Sequence, residues 1–326
     1  ISKVSEVIFD DIFPDKKYRY PEFSGRYTFA FNQWVDDRPY KSGQNHDIGV
    51  KIITPQSEYS GEDATLKMMS GQAREVLVVL PNDNEFLEET RNALKIEKFL
   101  RLNTASSITK FDQIKDAKST EMRECKERAK IFLVEALKNA DIYVNGDKAT
   151  IGAKEVGARI NDALKRLVSS VYHKLEYITA PMNEASIRNL LKSSNQQALQ
   201  LGEVKDANIH ALNDMLSFIS DNSALHMKTS MKTLMERFMK APYGFVEDDV
   251  EWLVAKLFKE GDIALTVNGS PVTLLNKSED ELVRYITKKE FVDKLLTERR
   301  QKANDKQKKN AKEIMKGLFN ASTVVD

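Results

Sequence analysis

Residues 231–275 read MKTLMERFMKAPYGFVEDDVEWLVAKLFKEGDIALTVNGSPVTLL. Met231, Leu234, Met235 and Phe238 recur at helical spacing and form one apolar stripe. Pro242-Tyr243-Gly244-Phe245 then reads as a turn. Val250, Leu253, Val254, Leu257 and Phe258 form a second stripe at i, i+3, i+4, i+7 and i+8, and Glu260-Gly261 stops it. Two apolar runs follow, joined by Asn268-Gly269. This is a strong hairpin signal, because both turn residues must accept a positive φ. Helix, turn, helix, hairpin is the order of a winged helix-turn-helix, and we bound that module at 226–277.

Such a module commonly reads DNA by placing the start of its second helix in the major groove. Here that start is Glu247-Asp248-Asp249-Val250-Glu251. Its carboxylates would repel phosphates, and they also suit the positive end of the helix dipole. Between Lys228 and Asp262 there are six bases and seven acids, and the wing Asn268-Gly269-Ser270-Pro271 has no Lys or Arg. The pattern favours a protein-interaction or structural module over a sequence reader.

After this module the chain turns basic. Lys288 to Lys316 holds 11 Lys/Arg against five Asp/Glu. Residues 278–326 read as a basic helical tail. Arg299, Arg300, Lys302, Lys308 and Lys309 are its candidate nucleic-acid contacts. No aromatic interleaves them, so base stacking is not indicated, and the competing reading is a solvated helix face.

Before it, residues 1–105 read as a small α/β domain. Tyr27, Phe29 and Phe31 alternate with smaller residues, as do Ile48, Val50 and Ile52. Val76-Leu77-Val78-Val79-Leu80, ended by Pro81, is the signature of a strand buried on both faces. A helix over about 85–102 should follow. Residues 106–225 read as a helical region: a charged helix over 108–139, a hairpin near 141–151 turning on Asn145-Gly146, a long amphipathic helix over about 156–177, and two shorter helices within 186–221. The two Asn-Gly hairpins each begin Asp-Ile, which reads equally as a degenerate repeat or as coincidence. The fold class is therefore α+β, predominantly helical.

Of 326 residues, 41% are apolar and 30% charged, and the net charge is +1. That balance fits a globular protein and argues against a whole-chain polyanion binder. Cys125 is the single cysteine, which excludes a disulfide framework and a Cys-rich zinc site. The longest wholly apolar run is Val76 to Leu80, far short of a bilayer span, so no membrane association is expected. The first residue is Ile, and a piece of a longer polypeptide is expected.

Enzyme chemistry finds little support. No Gly-Lys dipeptide and no Gly-x-Gly-x-x-Gly occurs, so a phosphate-cradling loop is missing. His46, His173, His210 and His226 are scattered. Cys125 has no neighbouring His to stabilise a thiolate. Asp15 and Glu124-Cys125-Lys126 only superficially supply nuclease parts. No catalytic, cofactor-binding or metal residue is assigned.

Several stretches carry a family resemblance. They are Phe9-Asp10-Asp11-Ile12-Phe13, Phe31-Asn32-Gln33-Trp34-Val35-Asp36-Asp37-Arg38-Pro39-Tyr40, Gly49-Val50-Lys51-Ile52-Ile53-Thr54-Pro55, Ala158-Arg159-Ile160-Asn161-Asp162-Ala163-Leu164 and Ala241-Pro242-Tyr243-Gly244-Phe245. Together they resemble a middle portion of the large P-loop ATPase protein (BrxC/PglY family) of BREX bacteriophage-exclusion systems. The resemblance implies a cytoplasmic bacterial parent working in a multi-protein phage-defence complex. It implies that ATP and magnesium belong to a domain upstream of Ile1, with no cofactor in these residues. It also implies other phage-defence proteins as partners and oligomerisation through the parent; DNA is a candidate partner of the basic tail from its charge alone. The leading reading is a non-catalytic interaction region of such an ATPase. The alternatives are a DNA-binding regulator using the winged helix or tail, and a nuclease with a metal site invisible in sequence.

Overall fold

The computed structural model describes residues 1–102, 109–192, 207–300, 309–310 and 313–314. The chain divides into two compact units, Ile1–His173 and the residues from Lys174 onward.

The first unit is built on a seven-stranded sheet. Strands β1 (Lys17–Arg19), β2 (Thr28–Val35), β4 (Ile48–Ile53), β5 (Glu75–Val79), β6 (Asp141–Val144) and β7 (Asp147–Lys148) lie side by side in that order, and β3 (Arg38–Pro39) folds back on β2. The β2–β4 and β4–β5 pairs are parallel; the flanking pairs are antiparallel. Helix α1 (Ser2–Glu6) opens the unit, and α2 (Asp63–Gln72) bridges β4 and β5. Leu66 of α2 packs with Ile53, Leu77, Val79 and Tyr143, which share one sheet face. Strand side chains alternate, so Val76 and Val78 point to the other face. There α5 (Val156–Val171) lies against β4, β5 and β6 with Ile160, Ala163, Leu164, Leu167 and Val168 buried. This two-sided cover is why strand 75–79 is apolar at every position after Glu75.

Helices α3 (Glu85–Leu102) and α4 (Thr109–Lys138) pack together through Ala93, Ile96 and Cys125. Their bounds agree with the sequence reading. Helix α5 ends at Val171, short of the expected Tyr177. The Tyr172 ring lies 4.2 Å from that of Phe29, and its hydroxyl donates to Asp47 at 3.4 Å, which draws residue 172 out of the helix toward the sheet.

Both Asn-Gly turns form as expected: Asn145 and Gly146, then Asn268 and Gly269, all adopt positive φ. The first hairpin, however, is not part of a helical region. Strand β6 pairs with β5, so residues 141–148 complete the N-terminal sheet. Gly146 donates its N–H to Ser70 Oγ (3.1 Å), and its backbone passes so near Gly71 that a Cβ there would sit 3.4 Å from Gly146 Cα.

The second unit contains α6 (Glu184–Lys192), α7 (Ile209–Ala224), β8 (Thr229–Ser230), α8 (Met231–Phe238), α9 (Glu247–Lys259), β9 (Ile263–Val267), β10 (Ser270–Val272), α10 (Glu279–Thr287) and β11 (Leu295–Arg299). Ser230 caps α8 by accepting from Thr233 N–H (3.1 Å), and Ser278 and Glu281 form a capping box on α10. The turn between α8 and α9 is filled by Phe238, Tyr243 and Phe245, whose ring centroids lie 4.6–6.1 Å apart.

The sheet here has the order β10-β9-β11-β8. This corrects the assignment of 278–326 to a helical tail. Residues 295–299 form a strand inserted between β9 and β8, with Leu295 opposite Val267 and Arg299 opposite Ile263. Leu295 and Thr297 are fully buried, and Thr297 Oγ1 donates to Thr229 O (3.0 Å). The burial of those side chains and the ladder on both sides outweigh the helical bias of the flanking lysines. Helix α7 also packs on β11, so the unit begins well before residue 226.

Candidate functional site: the second helix of the helix-turn-helix

Helix α9 occupies the place of a DNA-reading helix, yet nine of its 13 residues are buried and the other four, Glu247, Asp248, Lys256 and Lys259, are half-buried. Its inner stripe, Val250, Leu253, Val254, Leu257 and Phe258, is buried as expected. Asp249, Glu251, Trp252 and Ala255 are buried as well. The cover comes from α6 and α10, both packed against α9 and against each other. Ile187 and Leu191 of α6 and Leu282, Val283 and Ile286 of α10 are buried.

Polar contacts fix this cover. Asp249, 0% exposed, accepts the Met182 backbone N–H through Oδ1 at 3.0 Å. Lys259 Nζ donates to Leu191 O at 3.3 Å. Arg188 joins the two covering helices, donating to Glu184 Oε1 (2.9 Å) and to Asp280 Oδ1 (2.7 Å). Lys192 reaches Glu279 at 3.6 Å and Lys288 reaches Glu184 at 3.7 Å. Hydrogen bonding from Arg188 is the main reason the Glu184 carboxyl is held below its ordinary range.

Glu251 is 3% exposed, and burial pushes its carboxyl up to about 8, reinforced by Glu247, Asp248 and Glu184. A second polar cluster sits at the start of the unit: Lys174 Nζ pairs with Asp214 Oδ2 at 2.5 Å, and Tyr243 OH donates to the same oxygen at 3.0 Å.

Three of the proposed phosphate contacts, Arg299, Arg300 and Lys309, lie among the described residues. Arg299 is half-buried on β11; its guanidinium donates to Asp262 O (3.3 Å) and pairs with the Asp262 carboxylate (3.6 Å). Arg300 is exposed, with its backbone N–H on Asp262 O (3.0 Å). Lys309 is exposed. Lys302 and Lys308 lie outside the described residues. The wing residues 268–271 are exposed and uncharged.

Metal and thiol chemistry gain nothing from the geometry. Among the described residues no three His, Cys, Asp or Glu side chains converge as metal ligands. Cys125 is 3% exposed and its thiol is pushed up, first by burial, which is the reverse of an activated nucleophile. Among the described residues no helix is long and apolar enough to cross a membrane.

Sequence reasoning missed the cover. One signal was present: Trp252 and Ala255 lie off the inner stripe, so α9 is apolar on more than one side, and such a helix needs partners on more than one side.

The fold thus defines a class: a helix-turn-helix with a hairpin wing, joined in one chain to a mixed sheet unit. The comparisons give the family. Residues 1–167 match the family described as BREX ATP-binding protein BrxC 4th domain with six-stranded beta sheet, and residues 174–301 match the BREX ATP-binding protein BrxC winged helix-turn-helix domain. The chain belongs to the BREX ATP-binding protein BrxC family. The sheet of the first unit runs through β1-β2-β4-β5-β6-β7, with β3 paired to β2. No solved structure matches the chain.

Proposed function

We propose that this chain is a non-catalytic docking region of a BREX ATPase, in which the winged helix-turn-helix has been turned from DNA reading to holding protein contacts. The nucleotide and magnesium site belongs to another part of the parent protein, and the partners are other components of the same phage-defence system. The observation that carries this reading is the cover on α9. A helix packed under two others cannot lie in a groove while they stay seated, and removing the cover would unbury Ile187, Leu191, Leu282, Val283 and Ile286. Uncovering one such side chain costs roughly 1.5–3 kcal/mol, more than a base contact of ~1–3 kcal/mol returns when several must be released together.

The test is binding of the purified chain to the other proteins of its BREX system, alongside magnesium-dependent ATP hydrolysis. The reading expects a saturable complex with at least one of them and no turnover by the chain alone. Turnover, or binding to duplex DNA that is blocked by changes on α9, would replace it.

The exposed Arg300 and Lys309 keep a second reading open to experiment, in which the basic end of the chain contacts phosphates. Affinity for DNA that falls steeply with salt and with Arg300→Glu, while α9 stays protected, would support that reading.

A further inference from the structure

Just past the last strand of the wing, β10, the chain makes a turn that displays two leucines. Leu275 is 99% exposed and Leu274 beside it is 43% exposed. A lone surface leucine is ordinary in a folded protein. These two are held out by hydrogen bonds on either side of them. Thr273 N–H donates to Asn276 Oδ1 (2.8 Å), Asn276 N–H donates back to Thr273 Oγ1 (3.1 Å), and Asn276 Nδ2 donates to Pro271 O (3.0 Å). The turn is closed by its own ends and tied to β10, so it is ordered before anything binds. Its surroundings carry no charge. Residues 268–276 contain no Asp, Glu, Lys, Arg or His, although 30% of the chain is charged, and all of them but Val272 are exposed. The charges at the margin are already satisfied within the unit. Lys277 pairs with Glu281 (3.0 Å), whose carboxylate also serves in the capping box, and Asp280 pairs with Arg188 (2.7 Å).

We propose that turn 273–276 is a docking knob that seats Leu275, flanked by Leu274, in an uncharged apolar cleft of another protein. This rests on the reading of the chain as a docking region, and it names the surface that docks and the chemistry of what receives it. The occupant follows from charge. Phosphates and acidic or basic peptides would find no counter-charge on residues 268–276. A leucine left almost wholly in water gives up its hydrated apolar surface on entering a dry cleft, which is worth roughly tenfold or more in affinity. The fixed turn loses little freedom in doing so. A second copy of the chain fits less well. The cavity beside the chain start is walled by Glu6 and Arg38 together with Ser2 and Ser5, and a leucine placed there would desolvate those ions without pairing them.

The experiment is calorimetric titration of the full chain with each purified protein of its own BREX system, repeated with Leu275→Ser and with Leu225→Ser. Leu275→Ser should weaken the complex by more than about tenfold. It should leave the urea midpoint of unfolding unchanged, because that side chain is almost wholly exposed. Leu225, 67% exposed elsewhere in the unit, is the control for general apolar adhesion, and Leu225→Ser should change the affinity by less than about twofold. A complex that keeps its affinity in Leu275→Ser, or loses as much in Leu225→Ser, overturns the knob and leaves the docking region standing. Absence of any complex overturns both. Self-association of the wild-type chain that Leu275→Ser abolishes, read by sedimentation, overturns the assignment of the cleft to another protein.

Discussion

The Asp249 carboxylate accepts the Met182 backbone N–H at 3.0 Å, binding the N-terminal turn of one helix to a segment 67 residues earlier in the chain. The Asp249 carboxylate is fully buried, so leaving it without this donor is costly. An acid that reads in sequence as a repellent for phosphate is therefore a structural tie. Asp249→Ala should lower the unfolding free energy by about 1–3 kcal/mol, measured by urea denaturation with Trp252 fluorescence in a Trp34→Phe background. A change below a few tenths would show that the tie contributes nothing.

Strand β11 is expected to be indispensable to the second unit. Leu295 is fully buried opposite Val267, and Leu295→Ala should cost about 2–5 kcal/mol by the same measurement. Truncation after Arg300 should leave the unit folded, and truncation after Lys294 should not. Equal stability of the two truncated chains would contradict the observed strand order.

Gly269 turns the wing at φ +79° with open space around its missing side chain. Gly269→Ala should therefore cost about 1–2 kcal/mol from backbone strain alone. Its effect should be confined to hairpin 263–272, visible as faster amide exchange there and nowhere in the first unit.

Acid should loosen the cover. Arg188 holds Glu184 below its ordinary value of 4.5, so its contribution is present above that pH and is lost as pH falls through the depressed value. Protection of peptide 184–192 should thus fall on the acid side, and Glu184→Gln should remove that fall. An acid limb unchanged in Glu184→Gln would assign it to another carboxylate.

Cys125 should react slowly with aromatic disulfides at pH 7, since burial both hides the thiol and disfavours its ionisation. A rate near that of a free thiol would mean that the α3–α4 pair opens readily; a rate that rises only on unfolding is expected.

What sequence made legible was local. The bounds of α3 and α4 lie close to those read from the sequence, and the Asn-Gly turns follow from φ alone. Strand 75–79 announced its double burial because no polar residue interrupts it after Glu75. The misplaced elements were those whose state depends on distant partners. Strand 141–144 pairs with residues 77–79, and strand 295–299 pairs with 263–267 and 229–230. Five residues flanked by lysines carry too little pattern to outvote helix propensity until those partners are known. The site suffered for the same reason. The acids at 247–251 have similar local meaning whether they face phosphate, water or another helix, and only the docking of 184–192 and 279–287 decides among these.

Hydrogen exchange across residues 247–259, with and without a saturating excess of duplex DNA at low salt, separates a covered helix from a DNA-reading one. A covered helix is strongly protected in the free chain and unchanged on adding DNA, even if DNA binds elsewhere. Weak protection in the free chain, or new protection of 247–259 with DNA, would return the helix to the groove.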